Sequence, residues 1–151
     1  MTINLVRSGR LYKGVPYAYA AVAPPGALIF TAGACPLDDR GLVADPGDIP
    51  AQASLAVANL ATALAEAGAT LADVVKTTVF VASAERADLV AAWDVVRAAF
   101  GEHDAPSTLL GVAVLGYPGQ LVEIEAVAVQ PGAGRVPDGG STGAEAGTVS
   151  G

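Results

Sequence analysis

Two carboxylates, Glu123 and Glu125, stand two positions apart in Leu121-Val122-Glu123-Ile124-Glu125-Ala126. In an extended chain that spacing sends both to one side. A carboxylate in a desolvated cleft holds its proton more tightly and can activate water or transfer a proton. The same stripe also suits an edge strand facing solvent. Tyr17 and Tyr19, on an expected strand, can stack or donate from one face, and sheet packing would select them too. Ser107 and Thr108 offer hydroxyls at a strand start, but the only histidine, His103, lies four residues before Ser107, so no Ser-His-Asp arrangement can be assigned. His103 itself reads as an exposed loop residue, and Cys35 as a small buried hydrophobe. Gly33-Ala34-Cys35-Pro36 does not match a glycine-rich nucleotide loop. With one Cys and one His no multi-Cys zinc site can form. No metal or cofactor is expected.

These residues need elements to hold them. The apolar runs 17–22 and 27–32, separated by Ala23-Pro24-Pro25-Gly26, read as an early hairpin. A loop follows in which Asp38, Asp39, Asp45 and Asp48 lack the spacing of a calcium-binding hand and read as a solvated crossing. Asp48 as cap, Pro50 in the first turn and Gly68 as stop delimit a helix. Its buried face carries Ala53, Val57, Leu60, Ala61 and Leu64, and Gln52, Asn59, Thr62 and Glu66 fall largely opposite. The β-branched run 75–81 reads as a strand with Val75, Val79 and Val81 on one face. Ser83 is the expected cap of a second helix, striped by Leu89, Ala92, Trp93, Val96 and Phe100 and ended by Gly101. Two strands, 107–115 and 121–129, complete the order ββ-α-β-α-ββ. That order predicts an α+β fold, a mixed sheet covered by two helices, rather than a doubly wound one. The last strand is apolar on both sides, and two helices cover only one, so the other face is expected to be buried by self-association.

The whole chain, 151 residues with 52% hydrophobic and 15% charged types, has the composition to bury a core. One domain is expected over residues 1–130, with a Gly-rich, flexible tail over 131–151. Eight basic against fifteen acidic residues give a net charge of −7, which repels nucleic acid and anionic membranes; neither is an expected partner. The opening Met1-Thr2-Ile3-Asn4-Leu5-Val6-Arg7 lacks a basic-then-apolar leader, and the single cysteine suits a reducing compartment, so a cytoplasmic location is expected.

Taken together, Pro16-Tyr17, Phe30-Thr31-Ala32-Gly33-Ala34-Cys35-Pro36-Leu37, the run from Val74 to Val81, Phe100-Gly101-Glu102-His103 and Leu121-Val122-Glu123-Ile124-Glu125-Ala126 resemble the Rid (YjgF-like) family of reactive-intermediate or imine deaminases, in order across about residues 12–130. The resemblance implies a chorismate-mutase-like subunit, a homotrimer around a central barrel, and a small-molecule ligand in clefts between subunits. It places the family's stacking tyrosine at Tyr17, the glycine of the cleft wall at Gly33, its Ser-Thr pair at Ser107 and Thr108, and the water-holding glutamate at Glu123. The family's cleft asparagine falls at Trp93, where an aromatic or apolar ligand would be favoured. Pro106 stands where deaminating members carry the arginine that clamps a 2-imino acid, so the chain is more similar to the subgroup without it. Loss of such a clamp in a dry site costs about 2–5 kcal/mol. The implied activity is hydrolysis of an imine, enamine or related electrophile; the alternative is a non-catalytic module binding a metabolite or a protein segment.

Overall fold

The computed structural model describes residues 2–132, so the expected tail lies outside the described residues from 133 onward. Helix α1 (Ile49–Glu66) begins where the sequence puts it. The Asp48 carboxylate accepts a hydrogen bond from the Ala51 amide at 3.0 Å, Pro50 sits in the first turn, and Gly68 adopts φ +81 just past the end. Asp48→Ala should therefore cost about 0.5–2 kcal/mol, read as a lower urea midpoint at unchanged m-value. Ala53, Ala56, Leu60 and Leu64 are completely buried. The small side chains let the helix lie close to the sheet beneath it.

One expectation for this helix fails. Gln52 is not on the solvent side but fully buried. Its carbonyl oxygen accepts from the Leu121 amide at 2.8 Å, and its amide donates to the carbonyls of Gly119 at 3.1 Å and Asp45 at 3.3 Å. An amide with every polar atom paired can stay in a core that excludes water.

Among the described residues six strands accompany the helices: β1 (Asn4–Val6), β2 (Ala20–Val22), β3 (Leu28–Phe30), β4 (Val74–Val81), β5 (Ser107–Gly111) and β6 (Val122–Val129). The main sheet has the order β3-β6-β4-β5, with β4 and β5 parallel and the other pairs antiparallel. Helix α2 (Arg86–Phe100) makes the crossover between β4 and β5. The result is the expected α+β layering, two helices on a mixed sheet.

The early hairpin does not form. Instead β2 pairs with β1, a strand not expected from the sequence, and β3 pairs with β6. Pro24 and Pro25 lack the amides a tight hairpin ladder would use, so the two runs part and each finds another partner. Tyr17 and Tyr19 precede β2 rather than lying in it. Within β4, a register shift between Val74 and Lys76 moves Val74 onto the buried face in place of Val75. Ser83 does not cap α2, whose first turn follows Glu85. Its hydroxyl instead donates to Asp88 at 2.7 Å and accepts from the Glu85 amide at 3.0 Å, bracing the turn into the helix.

Val74, Val79, Val81, Val122, Ile124 and Ala128 face the helices and are buried. The opposite face carries Lys76, Thr78, Phe80, Thr108, Leu110, Glu123, Glu125 and Val127 by strand alternation. Phe30 is 72% exposed there and Leu28 53%. Among the described residues no helix is long and apolar enough to cross a membrane.

Candidate functional site

Past Phe30 the chain stays beside β6. The Thr31 amide donates to the Ala126 carbonyl at 3.0 Å, and the Thr31 hydroxyl accepts from the Ala126 amide at 2.9 Å. Ala34 and Ile124 then exchange two backbone bonds, at 2.7 and 3.1 Å. This guided path carries Gly33 over Glu123 so closely that a Cβ on Gly33 would overlap the carboxylate Oε1. The glycine is there for that approach. The other oxygen, Oε2, accepts from Gln120 Nε2 at 3.0 Å. Cys35 lies beside both groups. Burial pushes its thiol pKa up, the Glu123 charge adds to the rise, and a hydrogen bond with Gln120 opposes it.

Sequence reasoning missed three parts of this arrangement. Cys35 is half-buried against a carboxylate rather than an inert filler. Gln120 is 3% exposed. Asn59, assigned to the outer side of α1, donates to the carbonyls of Cys35 at 2.8 Å and Leu37 at 3.1 Å. A signal was available in the helix: Gln52, Ala56 and Asn59 follow the same period as the buried stripe.

A second group forms at the far side of the sheet. The Ala18 amide donates to the Asp104 carbonyl at 2.9 Å and ties the 17–19 segment to the loop before β5. Tyr17 then meets Trp93 edge-on, centroids 6.4 Å apart, and Tyr19 at 6.1 Å. Trp93 and Ser107 line one shallow pocket with Pro16, Arg97, His103 and Phe100, of about 10 Å³, room for about one water. His103 is not the free loop residue expected: its Nε2 lies 2.7 Å from the Val74 carbonyl. Ser107 donates to the Ala105 carbonyl at 3.1 Å and shares a short hydrogen bond with Thr77. Both contacts tie the hydroxyl to the start of β5 and to its neighbour on β4. Arg97 has no acidic partner within ion-pair distance among the described residues.

The expected Ser107 and Thr108 pair is divided by the strand itself. Ser107 aligns with buried Thr77 and turns toward the helices, and Thr108 points to the open face, where Lys76 Nζ donates to its hydroxyl at 2.6 Å. Thr108 and Glu123 share that face but are separated by two strand spacings, with β4 between them, and two residues of register, roughly 12 Å between Cα atoms. Within one chain, Gly33 and Glu123 therefore lie together in one group, and Tyr17, Trp93 and Ser107 in another.

An α+β subunit of this topology, with a carboxylate seated on a glycine at the sheet's open face, has many relatives. The family model described as endoribonuclease L-PSP matches residues 10–130. Protein DfrA of Myxococcus xanthus is 33% identical over 85% of this chain and 97% of its own length. A RutC family protein of Synechocystis is 34% identical over 87% of this chain and 99% of its own. Among solved structures, a Rid family protein from Yersinia pestis, described as of unknown function, superposes with a TM-score of 0.80 at 31% identity, covering 85% of this chain and 99% of that one. The chain belongs to the endoribonuclease L-PSP family, the Rid or YjgF family of the sequence resemblance.

Proposed function

We propose that this protein is a homotrimer that binds a small imine, enamine or related electrophile in clefts between subunits and hydrolyses it. The observation carrying the reading is the Glu123 carboxylate, tied at one oxygen by Gln120 and left with the other against Gly33. A site with a single fixed carboxylate suits water activation. Water attacks the imine carbon and gives a proton to Glu123, so that a C–O bond forms. Glu123 passes that proton to nitrogen, then takes the proton of the new hydroxyl and delivers it to nitrogen too, so that the C–N bond breaks as the carbonyl forms and ammonia leaves.

Within one chain the Cα atoms of Glu123 and Thr108 stand roughly 12 Å apart, with the β4 side chains Thr78 and Phe80 on the face between them. A neighbouring copy supplying Thr108 from its own open face beside Glu123 completes the site and covers Phe30 and Leu28, large apolar groups otherwise in water. Sedimentation should then give a particle of three 14.9 kDa chains; lone subunits at micromolar concentration would count against the shared cleft. The direct assay is ammonia release from 2-iminobutyrate generated in situ by a deaminating enzyme, and no acceleration removes the catalytic reading for that substrate.

Pro106 favours a second reading. It stands where the resemblance expects the carboxylate-clamping arginine, and a site without that clamp can hold a ligand without turning it over. Saturable thermal stabilisation by small acids, amines or aromatics with no product formed would support binding alone. The family model's name brings RNA cleavage to mind, but a net charge of −7 opposes a polyanion; RNA affinity with a steep salt dependence would reverse this.

A further inference from the structure

Gln120 spends its whole side chain on this region. It is 3% exposed. Its Nε2 donates to Glu123 Oε2 at 3.0 Å and to the Val122 carbonyl at 3.2 Å, and its Oε1 accepts from the Tyr117 amide at 3.1 Å. The turn that carries it is closed by its own amide donating to the Tyr117 carbonyl at 3.0 Å. Behind that turn stands the second buried amide, Gln52, bonded to Gly119 and Leu121 on either side of Gln120. A carboxylate on an open sheet face needs no such support for folding, since solvent would satisfy it. What the buried amides add is a fixed orientation: with Oε2 held, Oε1 is directed over Gly33.

We infer that Gln120 is the positioning residue for Glu123, a clamp braced from helix α1 by Gln52 that presents one carboxylate oxygen to the cleft. This deepens the hydrolytic reading and rests on it for its catalytic consequence. The geometric consequence stands apart.

Gln120→Leu keeps the volume and removes both the donor and the acceptor. A crystal structure of that variant should show the Glu123 carboxylate rotated away from Gly33. An unmoved carboxylate overturns the inference, whatever the activity. In the ammonia-release assay, kcat of Gln120→Leu should fall about 10- to 100-fold, the range typical of orienting partners, with KM changed less than about twofold, since the clamp holds no substrate. A fall in KM-related binding with kcat intact would also overturn it.

Gln120→Glu supplies a second variant. Its carboxylate has no donor for Glu123 Oε2 and repels it, so a crystal structure of this variant should also show the Glu123 carboxylate turned away from Gly33. An unmoved carboxylate counts against the clamp. Wild-type protein that releases no ammonia, with a carboxylate that still swings in Gln120→Leu, would defeat the hydrolytic reading alone.

Discussion

Glu123→Gln should lower ammonia release about 10²- to 10⁴-fold, the contribution of a positioned general base. The substitution is nearly isosteric. Its amide oxygen can still accept from Gln120 Nε2, so the bond now measured at 3.0 Å survives and the fold with it. What disappears is the basic oxygen over Gly33. A readout independent of turnover is available in Cys35, whose thiol pKa is raised by burial and further by the Glu123 charge. Without that charge the thiol pKa drops, more thiolate is present at a given pH, and alkylation by iodoacetamide at pH 8 should quicken. Faster alkylation with full activity would show that the carboxylate sits where described and does no chemistry.

Gly33→Ala is expected to act on the same atom from the other side. The new methyl group would occupy the place of Glu123 Oε1. The atoms it meets, Oε1, Cδ and Cγ, all belong to the Glu123 side chain, so the whole side chain turns aside rather than the backbone. Stability should change little, because the backbone bonds between Ala34 and Ile124 are untouched. Activity should not survive as well. Misplacement of a catalytic group by about 1 Å can cost on the order of 10²-fold, and kcat is where the loss should be read. Unaltered kcat in Gly33→Ala would mean that this orientation of Glu123 is not the working one.

Much of this frame was legible in the chain. Asp48, Pro50 and Gly68 mark α1 because caps and stops act within a single turn, so local chemistry suffices. The paired direction of Glu123 and Glu125 follows from strand alternation alone. The missed features depend on partners distant in sequence. Nothing local tells that β2 pairs with β1, or that β3 lies against β6. The register shift after Val74 is equally nonlocal, since it depends on the pairing with β6. Gln52 looks solvent-facing by residue type, and only the loop at 119–121, arriving from the other end of the chain, explains its burial. The resemblance places a Ser-Thr pair at Ser107 and Thr108, but neighbours on a strand point to opposite faces.

The order β3-β6-β4-β5 has a bearing on synthesis as well. The strand that finishes last, β6, sits between two that were made earlier. Until it leaves the ribosome, β3 and the adjoining edge of β4 have no ladder to close, whereas β4, α2 and β5 can already associate as a local unit. Nascent subunits must therefore wait with an open slot in the middle of the sheet, a long-range closure of the kind that slows folding. Glu123 and its buried amide arrive with the strand that fills it.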